Sequence, residues 1–428
     1  MLDQSIRSWN PWWAQKMPPS LTGIRRDLTE DIIKSLGTPH IKDVIGVRRC
    51  GKTTILYQVA DHLISQGLQA KDIVFLNFDD PSINAAPFPD LQKEIFKINP
   101  DISHIFLDEI QQKTGWERWV RTLYDTKKFQ RIFISGSSAS LLSQDIGRVL
   151  TGRHITFGAA PFSFMEYLRK RGWEDFNPEF LAYNKDKLLH YLSAYLEAGG
   201  FPETVELDDF GRKQVLTSLY NDILARDISS RYGASFEITD KICRFMLTNP
   251  GASYSSNSIA QATGTAVETA EKYINYLKES LLIYDLPLFS FKLKMQFKQN
   301  KKTYPADTGV RNAVCLRFSH DTGKLAETVV FLEIRRRNLE VYYWKSAEGY
   351  EVDFVVKEGQ KITELIQAAW DVRDETTRMR EERALQCALE ELEVDEGIIL
   401  TEDEERSTEK NGKLIKYLPV WKWLLAPA

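Results

Sequence analysis

The sequence predicts an α/β fold built on a parallel sheet, followed by a helical segment, a helix-turn-helix with a wing, and a second α/β unit. Three observations predict it. Four apolar runs, "IKDVIG" (41–46), "IVFLNF" (73–78), "HIFLDE" (104–109) and "RIFISGS" (131–137), alternate with helical patterns, the signature of buried parallel strands with crossover helices. From residue 161 the pattern turns helical, with "FSFMEYLRK", "LLHYLSAYLEAGGFPETV" and "KQVLTSLYNDILARDISSRYG". Near the end, "VYYWK", "EVDFVV" and "ITELIQAAW" read as strands before an amphipathic helix at 375–391 and a strand "EGIILT".

A chain of 428 residues exceeds what one hydrophobic core organises. The expected parts are an N-terminal segment and sheet (1–160), a helical lid (161–235), a winged helix (236–290) and the second α/β unit (291–428). The winged helix is read from "YSSNSIAQATGTAVETAEKYINYLKESLLIYDLP", where a turn at Gly264 separates two helices and an apolar strand follows.

Composition is that of an ordinary globular protein, 43% hydrophobic and 27% charged. No apolar run approaches the roughly 20 residues needed to span a bilayer. Cys50, Cys243, Cys315 and Cys387 lie far apart without a CxxC pair, which argues against zinc or a disulfide framework and fits a reducing cytoplasm. A net charge of −4 and a pI near 6.0 exclude a chain that is basic throughout, so any contact with DNA must be local.

The first motif with chemistry is "GVRRCGKTT", which matches GxxxxGK[ST] in full. Gly46 and Gly51 let backbone amides wrap a phosphate, Lys52 neutralises β/γ oxygens, and Thr53 offers its hydroxyl to magnesium. Arg48, Arg49, Cys50 and Thr54 complete the loop. It follows a strand and opens a helix, the context a nucleotide site requires. "IFLDE" supplies the rest: Asp108, ending a strand, reaches the metal, and Glu109 orients the attacking water. Ser135 and Ser137, at the end of "RIFISGSS", are candidate sensors of the γ-phosphate. Arg148 and Arg153 are candidates to reach a neighbouring subunit's nucleotide in a homo-oligomer, with a ring as the expected form. Asp79 and Asp80, and the aromatic pair Trp12 and Trp13 in "NPWW", read as a turn and a core anchor.

The order "NPWW", "GVRRCGKTT", "FLNFDD", "FLDEIQ", "SGSS", "LTGR", "PFSFMEYL", "GGFPETV", "KKTYPADTG" and "EVDFVV" resembles the AAA-type archaeal and bacterial ATPases that carry a C-terminal domain of the PD-(D/E)xK nuclease superfamily. The resemblance implies a five-stranded P-loop core that binds ATP with Mg2+ at Gly46, Gly51, Lys52, Thr53, Asp108 and Glu109. It also implies a helical lid, a winged helix and a restriction-endonuclease-like end.

That superfamily places one acid on a strand, then an acid and a lysine two positions apart on the next. Asp353 fits the first acid, and Glu327 or Glu333 could add an oxygen ligand. If Gln367 takes the second acid position, Ala369 falls where the lysine belongs; from Glu364 the partner would be Ile366. The domain therefore reads as degenerate, unless Lys345 or Lys357 reaches in. Phosphate contact is assigned instead to "KLKMQFKQNKK", through Lys292, Lys294, Lys298, Lys301 and Lys302. The recognition helix shows Glu268, Glu271, Lys272, Asn275, Lys278 and Glu279, a mixed face. The expected function is thus an oligomeric ATPase acting on DNA junctions, ends or recombination intermediates, with hydrolysis coupled to movement of the C-terminal domains; the alternatives are a nucleotide-controlled signalling or defence switch on a protein partner and, third, an ATP-dependent nuclease.

Overall fold

The computed structural model describes residues 2–137, 150–292, 296, 300–316 and 322–426, and the chain divides into two units, residues 1–161 and 162–428.

The first unit is built on β1 (Ile41–Gly46), β2 (Ile73–Asn77), β3 (His104–Asp108), β4 (Arg131–Gly136) and β5 (His154–Ala159) in the order β2-β3-β4-β1-β5. Every pairing is parallel. All residues of β1, β2 and β3 are buried, which explains their unbroken apolar character: both faces are covered. The polar exceptions are bonded. Lys42 donates to Thr38 O at 2.6 Å and His40 O at 2.8 Å, and Asp43 accepts from Thr156 Oγ1 at 2.8 Å.

Register aligns Phe75 with Phe106 and Phe106 with Phe133, so their rings stack across three strands at 6.2 and 4.3 Å between centroids. Tyr57, on helix α1 (Lys52–Ser65), stacks on Phe75 at 4.5 Å. Trp12 meets both rings edge-on, so it is a core anchor. Asn10 beside it bonds the main chain of edge strand β2 in both senses, accepting from Phe75 N at 2.7 Å and donating to Phe75 O at 2.8 Å. Asp80 caps the helix Pro81–Ala85 and accepts from Trp9 Nε1 at 3.1 Å.

The second unit opens with helices. Phe164–Lys170 starts at a reciprocal cap between Ser163 and Glu166, and Lys185–Ala198 and Asp209–Asp222 follow. Helices α2 (Ser256–Thr263) and α3 (Val267–Glu279) are separated at Gly264, whose φ of +70° suits glycine. They accompany an antiparallel sheet of β6 (Ser253–Tyr254), β8 (Lys301–Pro305) and β7 (Ile283–Leu286), in that order. Its central strand thus comes from beyond residue 290, out of the lysine-rich stretch.

Helix α4 (Thr322–Arg336) leads to a six-stranded mixed sheet, ordered β13-β14-β12-β11-β10-β9. Its strands are β9 (Glu340–Lys345), β10 (Glu351–Glu358), β11 (Lys361–Ala368), β12 (Glu396–Thr401), β13 (Arg406–Lys410) and β14 (Lys413–Pro419). Helix α5 (Glu375–Glu391) adds Leu385, Ala388 and Leu389 to a core with Val352, Val355, Leu365 and Ile399. Strand β13 carries no apolar residue, which is why no strand was expected there.

Candidate nucleotide site

The loop at the end of β1 is shaped by two glycines. A Cβ on Gly46 would lie 2.2 Å from Ala159 O, its parallel neighbour on β5. Gly51 has φ of +102° and opens α1. Arg49 also holds a positive φ, of 63°, despite its side chain, a strained placement typical of functional loops. Arg26 braces the loop, donating to Cys50 O at 2.8 Å and Ala160 O at 2.7 Å. The helix α1 starts at Lys52, directly after this loop, so its positive N-terminal end faces the loop, as in anion sites.

Lys52 is 3% exposed. Its Nζ lies 3.2 Å from Gly46 O, 3.4 Å from Val47 O and 3.4 Å from Glu109 Oε1. Burial alone would lower its pKa, but Glu109, Cys50 and Asp108 carry it above the ordinary lysine value. The lysine is a fixed charge at the mouth of the loop.

Asp108 ends β3. Its Oδ2 accepts from Thr53 Oγ1 at 2.7 Å and Asn77 Nδ2 at 2.9 Å, and its Oδ1 accepts from Ser135 Oγ. Burial, then the charge of Glu109, push its carboxyl up to about 6. A hydroxyl and a carboxylate converging at bonding distance form the oxygen donor set that Mg2+ takes when phosphate and water fill its remaining positions, so Thr53 and Asp108 fit the metal.

Glu109 follows with a positive φ of 51°, which turns the chain sharply out of the strand. Its N–H donates to Ser135 Oγ at 3.3 Å, and its Oε2 accepts from Gln111 Nε2 at 2.5 Å. Burial would raise its pKa, but Lys52, Gln111 and Arg48 hold the carboxyl below the usual range. It is an ionised acceptor, as a water-orienting group must be.

The structure thus gathers Gly46, Gly51, Lys52, Thr53, Asp108, Glu109 and Ser135. Ser137 is linked to Glu109 through Gln111, whose Nε2 lies 3.2 Å from Ser137 Oγ. Thr54 and Arg48 are half-buried and Arg49 is exposed. Cys50 is fully buried against Ala159 O at 3.5 Å, and burial pushes its thiol up. Arg153 is paired with Asp125 at 2.8 Å; Arg148 lies outside the described residues. Sequence reading missed Asn77 and Gln111, although both stand in quoted motifs, "FLNFDD" and "DEIQ".

In the second unit a carboxylate cluster forms where the degenerate nuclease site was expected, with one correction. Lys302, assigned to phosphate contact on the surface, is 3% exposed. Its Nζ lies 2.7 Å from Glu351 Oε1, 3.2 Å from Asp353 Oδ1 and 3.8 Å from Glu327 Oε1. As the centre of β8 it faces β10 and α4, which no local pattern in "KQNKK" reveals. Asp353 Oδ2 accepts from Ala368 N at 3.1 Å. Gln367 turns its Oε1 to Asp353 N at 3.2 Å and its Nε2 to Glu381 at 2.6 Å. Lys357 pairs with Glu340 at 3.8 Å, away from the cluster, whereas Lys345 pairs with Glu351 of the cluster at 3.7 Å. Glu333 pairs with Arg336 and Arg337 instead, and Ala369 belongs to the core. Lys301 pairs with Asp285 at 3.3 Å, Lys292 is exposed, and Lys294 and Lys298 lie outside the described residues.

A family model described as an AAA domain matches residues 38–168, and two described as domains of unknown function, DUF8612 and DUF4143, match 189–322 and 322–423. The uncharacterized protein MJ1544 of Methanocaldococcus jannaschii is 33% identical over 94% of this chain and 91% of its own. An uncharacterized protein of Haemophilus influenzae is 28% identical over 82% and 88%. Among solved structures, the Walker-type ATPase paby2304 of Pyrococcus abyssi aligns with TM-score 0.43 and 14% identity, over 68% of this chain and 95% of its own. The ORC1 protein of Aeropyrum pernix, in complex with DNA, aligns with TM-score 0.29 and 12% identity, over 71% and 96%. At these scores neither structure carries a functional inference. With 33% identity to MJ1544 along nearly the whole length of both chains, the chain belongs to the family of MJ1544, and its residues 38–168, around the phosphate loop, match an AAA domain.

Proposed function

We propose that the chain hydrolyses ATP with magnesium at the end of β1 and β3. The observation that carries this is the ring of contacts joining Lys52, Glu109, Asp108 and Thr53. An arriving nucleotide competes for Lys52, which leaves the Gly46 and Val47 carbonyls and Glu109 for β/γ-phosphate oxygens. Glu109 Oε1 is thereby freed to accept a proton from water attacking the γ-phosphorus, while Ser135 and the turn at Glu109 keep the carboxylate in place. Magnesium, held by Thr53 and Asp108, supplies charge neutralisation at the phosphates when bound. Glu109→Gln should retain ATP binding and lose about 100-fold or more in turnover; a variant turning over at the wild-type rate would remove Glu109 from this role.

For what hydrolysis drives, the described surface supports a nucleotide-controlled switch on a protein partner over a DNA motor. Of the five lysines read as phosphate contacts, Lys302 is buried and Lys301 is engaged with Asp285. On α3, Lys278 also pairs with Asp285, and Glu279 accepts from Tyr232. The DNA reading keeps one observation in its favour: α2 and α3 beside a small antiparallel sheet support a winged helix, with Lys292 exposed between β7 and β8. Turnover measured with single-stranded, duplex and four-way DNA separates the two. Stimulation by one form selects the motor; a flat rate across all forms selects the switch. In either case a homo-oligomer that uses Arg153 must first release it from Asp125. The finer partition of residues 161–428 into lid, winged helix and nuclease-like end remains part of this reading.

A further inference from the structure

We infer that Gln111 is a positioning residue, which keeps the Glu109 carboxylate aimed after Lys52 has turned to a nucleotide phosphate. The two oxygens of Glu109 have different holders: Oε1 faces Lys52 at 3.4 Å, and Oε2 accepts from Gln111 Nε2 at 2.5 Å. Only the first is lost when a phosphate takes the lysine. The same Nε2 lies 3.2 Å from Ser137 Oγ, and Glu109 N is bonded to Ser135 Oγ, so both residues are referenced to the end of β4. The amide can sit only one way round, because a carboxylate accepts and never donates. That orientation leaves Gln111 Oε1 buried and without a hydrogen-bond partner among the described residues, an arrangement native proteins seldom keep without a use. The positive φ of Glu109 and the turn Ile110–Gln112 behind it, closed by Gln112 N to Glu109 O at 3.0 Å, fold this side chain back over the carboxylate.

This inference rests on the hydrolysis reading above and is tested separately from it. Steady-state turnover and nucleotide affinity would be measured for the wild type, Gln111→Leu, Gln111→Glu, Glu109→Gln and the double variant Glu109→Gln/Gln111→Leu. Gln111→Leu should lower kcat roughly tenfold or more with ATP affinity within about twofold. In the Glu109→Gln background the same change should add almost nothing, because Gln111 acts through Glu109. Gln111→Glu removes the donor to Glu109 Oε2 and sets a second carboxylate beside it, so kcat should fall at least as far as in Gln111→Leu, and the Glu109→Gln background should again absorb the effect. Wild-type kcat in Gln111→Leu, or a full further loss in the double variant, would overturn the role. A wild type that binds ATP without turning it over would instead overturn the hydrolysis reading, and this inference with it.

Discussion

Lys302 Nζ stands 3.2 Å from Asp353 Oδ1, tying β8 of the three-stranded sheet to β10 of the six-stranded one. Glu327 and Glu351 close around the same ammonium, so one lysine answers three carboxylates. Burial and then Asp353 push Glu327 up to about 8, which places a proton on it at neutral pH.

Lys302→Met should therefore cost about 3–5 kcal/mol, the range for removing one partner of a buried pair. Glu327, left without the lysine that holds its pKa down, keeps its proton to higher pH when folded than when unfolded. The folded chain then binds more protons, and stability falls as pH rises. Thermal melts of wild type and variant at about pH 5.5 and pH 8 should show a gap that widens at the higher pH; an equal gap at both would sink the idea that unpaired charge is the cause.

Gly46→Ala should abolish nucleotide binding while leaving far-ultraviolet dichroism close to wild type. The added methyl meets Ala159 O at 2.2 Å and Cys50 Sγ at 2.8 Å, so β1 and β5 cannot pair in register without displacing the loop. Calorimetric titration with an ATP analogue checks it, and affinity within about threefold of wild type would show that the loop absorbs the change.

Two histidines on the parallel sheet, buried His104 and half-buried His154, should shape the pH dependence in opposite senses. His154 faces Asp43 Oδ1 at 3.3 Å, and the bond to Asp43 raises its pKa above 6.5 against burial. Its contribution is full below 6.5 and fades as pH rises through the folded value. Burial, with Arg131 adding to it, lowers His104 to about 4; its contribution is full above 6.5 and fades as pH falls toward 4. The melting-temperature difference between wild type and His154→Gln should shrink from about pH 6 to pH 9, and that for His104→Gln should shrink from about pH 7 to pH 5. A pH-independent difference for either residue would contradict its assigned partner.

The first unit was legible because its signals are local. An apolar run, a glycine-bounded loop and a helix pattern lie next to one another in "IKDVIGVRRCGKTT", and "IFLDE" states strand and acid together. Gln111 and Asn77 were not legible, since each matters through a partner on another element and neither residue type announces a role. The second unit shows the limit more sharply. Gln367 bonds the main chain of Asp353 across neighbouring strands, and Glu327, on a helix, shares Lys302 with Asp353. The cation among them comes from Lys302, more than fifty positions before Gln367 in the chain, and only the pairing of β8 with β6 and β7 brings it there. A run of lysines looks solvated in sequence whichever member is buried.

The side chain of Asn10 occupies the position on β2 that a sixth strand would take beside Phe75. A sheet edge is also a template on which another chain can be laid down. Here the template is blocked by one amide at its middle, with Trp13 Nε1 on Ile73 O at 2.8 Å beside it. Growth of the parallel sheet by a further strand laid across β2 is therefore closed, whatever chain would supply it.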